Sequence, residues 1–313
     1  MSTSINSHVR GATDGLPRHA PIFLLCPARS YSTVTLALLA GHPDIYGFPE
    51  MLLFETGTVD GLLNRVSVPP QPKGFAEMRL NGILRAVADV LEASQDSSAI
   101  CRAKEWLAER SSWSPPELMD YLLSAVYPKI GLEKSPETVS TDEALDACIK
   151  HFPQCHFIHL TRHPATSIRS MLNYWSVFDI DEKSRLAFAA SAWYRGHSRI
   201  MRKLSQLPSE RWLRIRAEDV VGDPATWLPY ILDWLGLYHD NEIVSKMMQT
   251  QNWRFAGTGQ SGRLLGGGDA KFLRSPALRP IPRPSEAAFD PSWGLLDEMI
   301  DRMTSLASSL GYS

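Results

Sequence analysis

The stretch that decides the fold runs from Pro21 to Glu50 and reads PIFLLCPARSYSTVTLALLAGHPDIYGFPE. Its apolar run, Ile22 to Leu25, has the length and content of a buried strand. A turn rich in hydroxyl groups follows, and Val34 to Ala40 continues with the spacing of a helix. A strand, a tight turn and a helix N-terminus together bring free backbone N–H groups and about half a positive charge of helix dipole to one place. The stretch therefore predicts an anion-binding site.

The side chains of this turn suit a phosphate or a sulfate group. Arg29 adds a cation whose planar fork matches both anions, and Ser30, Ser32 and Thr33 add hydroxyl donors. The turn is not a Walker A loop, because it has neither the glycine pair nor the lysine of GxxxxGK[ST]. An ordinary strand-to-helix turn is the alternative interpretation.

A second stretch of the same kind is CHFIHLTRHPATSIRS, whose Arg162 lies 133 positions after Arg29. His156 to Thr161 predicts a strand, Arg162 stands at its end, and Pro164 suits the first turn of the next helix. Ser170 lies about 9 Å along that helix, at 1.5 Å per residue. We therefore expect Arg162 and Ser170 to converge on one phosphate, although either side chain taken alone is also compatible with a surface cap or a bystander.

Both stretches resemble motifs of the sulfotransferases that use 3′-phosphoadenosine 5′-phosphosulfate (PAPS). PARSYST is similar to the first loop of that family, PRSGST or PRSGTT, and the second stretch resembles its 3′-phosphate motif, as found in bacterial members and in polyketide assembly lines. The resemblance covers about residues 20 to 310. It implies a nucleotide site in two parts, with the 5′-phosphosulfate held by Arg29, Ser30, Tyr31, Ser32 and Thr33, and the 3′-phosphate by Arg162 and Ser170.

Other positions of the sequence match or depart from the same family. Lys134 in EKSP matches a lysine that neutralises the leaving group in relatives. Lys271 lies where relatives place a late loop on the nucleotide, and Arg263 is a weaker candidate for the same role. Tyr31 replaces the usual glycine of the first loop, and Ala217 replaces the usual tyrosine of RYEDL. We interpret the ring of Tyr31 as a partial substitute for the aromatic ring that relatives carry at the position of Ala217.

Transfer to a hydroxyl needs a base for the acceptor proton. Many cytosolic sulfotransferases use a histidine between the two motifs, but here no histidine occurs between His42 and His151. Tyrosylprotein sulfotransferases and several bacterial members use a glutamate just after the HP.I segment, which corresponds to Glu50. The resemblance therefore implies Glu50 as the general base, with Arg29 and Lys134 at the transferring group. A solvated or ion-paired carboxylate is the alternative for Glu50.

The order of elements predicts an α/β protein with a central parallel sheet, and the resemblance implies a three-layer, P-loop-like fold. We expect a flexible lead-in at residues 1–19 and one domain over residues 20–313. A helical block at about 72–128 interrupts the alternation of strands and helices, and we interpret it as a cap over the active site, with extra core as the alternative. A Gly- and Pro-rich loop spans about 254–288, and a strand is expected over Trp212 to Val221.

Composition excludes several classes of protein. A net charge of −2 leaves no broad basic field for nucleic acid. Four scattered cysteines show no metal-ligand spacing, and PAPS carries its own leaving group, so we expect no metal. No apolar run approaches the roughly 20 residues of a membrane span, and the first twenty residues do not resemble a signal peptide. We therefore expect a cytoplasmic protein with no membrane partner.

These observations predict a PAPS-dependent sulfotransferase that acts on a hydroxyl, or an amine, of a small molecule or a natural product tethered to a carrier protein. Neither the acceptor nor the oligomeric state can be read from the sequence. Two other functions stay open. A P-loop-like nucleotide kinase would require Mg²⁺ and ATP. A non-catalytic nucleotide-binding homologue is compatible with the departures at Tyr31 and Ala217.

Overall fold

A parallel sheet of five strands forms the centre of the molecule. The strands are β1 (Ile22–Leu25), β2 (Ile45–Gly47), β3 (Ile130–Glu133), β4 (His156–Thr161) and β5 (Trp212–Arg216). Their order across the sheet is β2-β3-β1-β4-β5, and every neighbouring pair is parallel. The computed structural model describes residues 19–64, 75–176, 179–257, 266–281 and 289–312. The predicted lead-in up to residue 18, Arg263 and parts of the predicted 254–288 loop lie outside these described residues.

Helices surround the sheet. In chain order they are α1 (Ser32–Leu39), α2 (Val59–Leu63), α3 (Phe75–Glu92), α4 (Ser97–Ala108), α5 (Pro115–Ala125), α6 (Asp142–His151), α7 (Pro164–Trp175), α8 (Glu182–Leu204), α9 (Ala217–Gly222), α10 (Pro224–Leu235), α11 (Asn241–Met247), α12 (Ala270–Arg274) and α13 (Asp297–Ser309). Single turns of 3₁₀ helix lie at Pro136–Val139, Ser209–Arg211, Thr250–Asn252 and Pro291–Trp293. No helix within the described ranges combines the length and the apolar character that a bilayer crossing needs.

The central strand β1 is buried on both faces, which explains its unbroken apolar sequence. Side chains alternate along a strand, so Ile22 and Leu24 pack in one layer and Phe23 and Leu25 in the other. The first layer includes α1, α9, α10 and α11. The second includes α3 to α6 and the C-terminal half of α8. The molecule thus has helix, sheet and helix layers, which confirms the predicted three-layer α/β fold.

The helical block α3 to α5 supplies much of the second layer. It also reaches the edge of the sheet at which the strands have their carboxyl ends. Its buried side chains, among them Ile83, Val87 and Leu122, share one apolar cluster with Phe23 of β1. The helix α3 also passes so close to the segment after β2 that a Cβ at Gly82 would lie 1.8 Å from the carbonyl oxygen of Glu50. This block is therefore core along most of its length and borders the candidate site at Gly82.

The predicted strand over Trp212 to Val221 is wrong in its second half. The strand β5 ends at Arg216, and the next residues form the helix α9. The last residue pair of β4 and β5 is Thr161 with Arg216, so beyond this point β5 has no further partner in β4. Glu218 and Asp219 in the first turn of α9 also favour a helix start, because acidic side chains complement the helix dipole there.

Candidate active site

Four neighbouring strands deliver the predicted site residues to one edge of the sheet. In sheet order, Glu50 follows β2, Lys134 follows β3, Arg29 follows β1 and Arg162 follows β4. Leu25 near the end of β1 pairs with His159 near the end of β4, so the two predicted motifs leave the sheet side by side. Because the carboxyl ends of parallel strands meet at one edge, this edge is the expected place for a ligand.

The first loop, Pro27 to Tyr31, reverses the chain through two residues in the left-handed backbone region. Arg29 has φ 65° and Tyr31 has φ 56°. Each such non-glycine residue costs about 1 to 2 kcal/mol. The loop leads straight into α1, and no side chain of the described residues caps the first N–H groups of this helix. The loop therefore presents a helix N-terminus to the site, as predicted from the sequence.

The hydroxyl groups of the first loop do not all face the site. Ser30 is buried and donates to the carbonyl oxygen of Pro27 at 2.8 Å, which tightens the loop. Ser32 is also buried, beside Cys26. Burial raises the pKa of the Cys26 thiol to about 11, so this cysteine stays protonated near neutral pH and is no nucleophile. Of the predicted hydroxyl donors, only Thr33 contacts other members of the site.

Arg29 is held by three groups from distant parts of the chain. Its Nε donates to Ser170 Oγ at 3.1 Å, and its Nη1 forms an ion pair with Asp269. Its guanidinium lies 5.2 Å from the ring centroid of Tyr174, one turn beyond Ser170 on α7. Ser170 is thus a direct partner of Arg29.

Arg162 bridges the second motif to the first loop. Its Nη1 donates to the carbonyl oxygen of Arg29 at 2.6 Å, and its Nε donates to Thr166 Oγ1 at 3.1 Å. The ring of Tyr31 covers the guanidinium at 3.8 Å, and the hydroxyl of Tyr31 accepts from Nη2 at 3.1 Å. Burial lowers the pKa of Arg162, but a guanidinium stays charged in proteins. Tyr31 thus faces Arg162, and Arg162 is fixed beside Arg29.

Histidines of the second motif support the backbone. His163 accepts from the N–H of Ala165 at 3.2 Å and caps α7, and burial together with Arg162 lowers its pKa to about 4. The N–H of His163 donates to Glu218 Oε1 at 2.9 Å, and Glu218 also accepts from Tyr312. His159 is buried against His197 at 2.9 Å, and burial holds its pKa well below the usual range. Neither His159 nor His163 therefore has a pKa near neutral, where a base would need it.

Lys134 joins the first loop to Glu50. It is 2% exposed, forms an ion pair with the carboxylate of Glu50, and donates to Thr33 Oγ1 at 3.3 Å. The Glu50 side chain is 24% exposed. Glu50 is therefore a partly exposed carboxylate paired with a buried cation.

A glycine segment, Gly266 to Asp269, closes the network on its remaining side. The N–H of Glu50 donates to the carbonyl oxygen of Gly267 at 2.9 Å, and the N–H of Asp269 donates to Thr33 Oγ1 at 2.9 Å. The buried Arg85 anchors the segment by donating to the carbonyl oxygen of Gly266 at 3.1 Å. The segment thus ties Glu50 to the first loop.

The structure does not bring the Lys271 side chain into this network. Lys271 is exposed on α12, and only its backbone N–H reaches a site residue, Asp269 at 2.8 Å. Three residues of the site were missed from the sequence: Asp269, Tyr174 and Glu133. The run Gly266-Gly-Gly-Asp was a usable signal for Asp269, since a glycine run before an acidic residue allows close backbone approach.

Glu133 is a buried carboxyl group beside the candidate base. It is 1% exposed, and it accepts from Ser135 Oγ and from the N–H of Met51 at 3.3 Å. Burial raises the pKa of Glu133 to about 7, against the opposing effects of those two donors and of Lys134. Because Met51 follows Glu50, this carboxyl helps to fix the segment that carries the candidate base.

The site is one continuous network of contacts. Each member of the network contacts the next in the order Ser170, Arg29, Asp269, Thr33, Lys134 and Glu50. Arg162 joins the network at Arg29. It places two guanidinium groups, one ammonium group and a helix N-terminus beside two partly exposed carboxylates, Glu50 and Asp269. Such a site can hold an anionic group and accept a proton next to it. Within the described ranges, no group of three or more His, Cys, Asp or Glu side chains is placed to hold a metal ion.

Comparisons with known proteins identify the family and the fold. The model of the sulfotransferase family matches residues 21–241. The sulfotransferase domain from the curacin biosynthetic pathway is 22% identical, with a TM-score of 0.73 over 95% of this chain and 99% of that chain. The sulfotransferase domain from the Synechococcus PCC 7002 olefin synthase is 24% identical, with a TM-score of 0.72 over 96% and 97%. Both share the three-layer, P-loop-like fold. None of the curated proteins compared with the chain matches it.

Proposed function

The chain belongs to the sulfotransferase family, and on that premise we propose that it transfers a sulfuryl group from PAPS to an acceptor hydroxyl or amine, with Glu50 as general base. The observation that carries the proposal is the direct contact of Glu50 with Lys134, which in turn donates to Thr33 of the first loop. A base and an anion-binding loop that share one cation suit a reaction between a proton-bearing acceptor and an anionic sulfuryl donor.

The chemistry of the residues fits PAPS. The helix N-terminus of α1 lacks a side-chain cap among the described residues and has no acidic residue in its first turn, so it favours an anion. Arg29, Thr33 and Lys134 would hold the 5′-phosphosulfate. Arg162 would hold the 3′-phosphate, with Ser170 keeping Arg29 in orientation. Bound PAPS supplies the sulfuryl group together with its own leaving group.

The roles of the chain's own residues follow from their contacts. Glu50 accepts the acceptor's proton at its carboxylate, and Lys134 neutralises charge on the side of the first loop. Arg29 and the N–H groups of α1 stabilise negative charge that builds up on the transferring group and the leaving phosphate. Tyr174 lies within electrostatic reach of Arg29 and Glu50. Burial raises the pKa of its hydroxyl, and the charge of Glu50 adds to that effect, so this hydroxyl stays protonated.

We propose that the acceptor is a small molecule, either free or tethered to a carrier protein, in bacterial secondary metabolism. The two structures named above come, by their names, from the curacin pathway and an olefin synthase, and we carry that context over as part of the proposal. The partly exposed Glu50 is compatible with a free alcohol, a phenol, an amine or a hydroxyl group tethered to a carrier protein.

The proposal is tested by turnover with sulfur-labelled PAPS against a panel of a free alcohol, a phenol, an amine and a β-hydroxyacyl carrier protein. We expect labelled product from one acceptor class and stoichiometric release of 3′,5′-ADP. ATP with Mg²⁺ in place of PAPS serves as the control donor. Phosphorylation with that control, and no transfer from PAPS, would favour the kinase and contradict the proposal.

A further inference from the structure

The carboxylate of Asp269 pairs with Arg29, the cation that would hold the sulfuryl donor under the proposed function. The pairing atom of Arg29 is Nη1, and the side chains of Asp269 and Arg29 are 23% and 18% exposed. Burial opposes ionisation, but the charge of Arg29 and the N–H groups of Phe272 and Lys271 outweigh it and lower the pKa of Asp269. Asp269 is therefore an internal anion at the first loop.

The position of this carboxylate is fixed from several directions. Its Oδ1 caps α12 by accepting from Lys271 at 2.8 Å and Phe272 at 3.0 Å. Its own N–H donates to Thr33. The preceding backbone is closely fitted, because a Cβ at Gly267 would lie 2.6 Å from Pro49 and one at Gly268 would lie 2.9 Å from Thr33. Moving Asp269 away from the loop would break these contacts.

We propose that Asp269 competes with the 5′ anionic group of the nucleotide for Arg29, and thereby limits how tightly the nucleotide product is retained. The inference rests on the proposed function. Two anions on one guanidinium repel each other and share its N–H groups, so the nucleotide must displace the carboxylate or bind against its charge. Ser170 holds Nε of Arg29 throughout, so the guanidinium keeps its orientation while its anionic partner changes. Asp269 acts through Arg29 and is not a catalytic residue.

The competition predicts that neutralising Asp269 tightens nucleotide binding. Asp269→Asn removes the charge and keeps a side-chain oxygen that can cap α12. We expect the Kd of 3′,5′-ADP to fall by about 1.5- to 5-fold, the range for one partly exposed charged contact. The dissociation rate of 3′,5′-ADP should fall by a similar factor, because changes at one interface act mostly on dissociation.

Two matched controls isolate the charge at Arg29. The first is the ligand 3′-AMP, which lacks the 5′ anion, so its Kd should be the same for the wild type and Asp269→Asn. The second is Asp240→Asn, because Asp240 caps α11 by accepting from Ile243 at 2.8 Å and has no arginine partner among the described contacts. This variant should bind both ligands like the wild type.

Calorimetric titration and stopped-flow dissociation of both ligands decide the matter. Selective tightening of 3′,5′-ADP by Asp269→Asn supports the competition. Unchanged or weaker binding of 3′,5′-ADP by Asp269→Asn, or equal tightening of both ligands, would overturn the competition. In that case the proposed function still stands, provided that the wild type binds 3′,5′-ADP. If the wild type binds neither ligand, the proposed function fails and the competition fails with it.

Discussion

Lys134 lies between Glu50 and Thr33, so the candidate base and the first loop share one buried cation. Its ammonium group pairs with the carboxylate of Glu50 and donates to Thr33 Oγ1 at 3.3 Å. The arrangement follows from the sheet, because β2 and β3 are neighbours and both residues come shortly after their strands. Under the proposed function, this contact couples proton removal from the acceptor to nucleotide binding through one side chain.

Glu50→Gln should abolish most turnover and leave nucleotide binding largely intact. The amide keeps the size of the side chain but cannot accept the acceptor's proton, and a general base contributes a factor of about 10² to 10⁴. The measurement is kcat with labelled PAPS, next to the Kd of 3′,5′-ADP. Glu242→Gln removes a surface carboxylate that also pairs with a lysine, Lys246, and should change neither value. A Glu50→Gln enzyme with wild-type kcat would exclude Glu50 as the base.

Gly82→Ala should destabilise the protein, although alanine usually favours a helix over glycine by about 1 kcal/mol. The new Cβ would lie 1.8 Å from the carbonyl oxygen of Glu50 and 2.9 Å from Cα of Gly267, so α3 or both segments must move. We expect a loss of about 1 to 3 kcal/mol in the free energy of unfolding, the range for overpacking. In Gly222→Ala, the new Cβ would meet nothing within 4 Å, and this variant should be neutral or more stable. Equal free energies of unfolding for the two variants in urea would show that α3 is not closely packed against the backbone of Glu50.

Tyr31→Gly should weaken 3′,5′-ADP binding, even though glycine is the usual residue of the family at this place. Tyr31 covers Arg162 at 3.8 Å and accepts from it at 3.1 Å. Removal of a cation–π interaction of about 0.5 to 2 kcal/mol raises the Kd by about 2- to 30-fold. Tyr31→Phe keeps the ring and should show a smaller effect. Unchanged or tighter binding by Tyr31→Gly would mean that the ring does not position Arg162.

Glu133 should make stability depend on pH in a defined window. Burial raises its pKa from 4.5 to about 7, so the folded state binds this proton more tightly than the unfolded state. The resulting stability is full below the unfolded pKa and is lost as the pH rises through the folded pKa. The free energy of unfolding of Glu133→Gln, relative to the wild type, should therefore increase between about pH 4.5 and about pH 7.

The check on Glu133 is a series of urea unfolding curves across this window, with Glu242→Gln as an exposed control. The control should follow the wild type at every pH. Parallel pH profiles of Glu133→Gln and the wild type would mean that Glu133 ionises with its ordinary pKa in the folded state.

Much of this architecture could be predicted because its signals are local. The strand-turn-helix units around Arg29 and Arg162 are each contained in about twenty consecutive residues, and the parallel order of strands brings their ends together. The helix N-terminus of α1 followed from the same short stretch. The sequence pattern predicts too long a strand β5 because apolar residues continue past Arg216, whereas pairing with β4 ends there.

The remaining contacts depend on residues that are far apart in sequence. Asp269 reaches Thr33 across 236 positions, and Ser170 reaches Arg29 across 141. Spacing within the second motif suggests that Ser170 acts together with Arg162. In the structure, Ser170 instead accepts a hydrogen bond from Arg29. The pKa of Glu133 is likewise a product of burial, which no local pattern reports. These features require the fold itself.

The central claim is a nucleotide site in two parts, and a thermal-shift titration with 3′,5′-ADP tests it most directly. At a ligand concentration of about 100 times its Kd, binding stabilises the folded state by about 2.7 kcal/mol, which raises the Tm visibly. For the wild type, we predict a rise in Tm with 3′,5′-ADP and a smaller rise with 5′-AMP. For Arg162→Ala, the two ligands should raise the Tm equally. No rise with 3′,5′-ADP, or a rise only with ATP and Mg²⁺, would contradict the account.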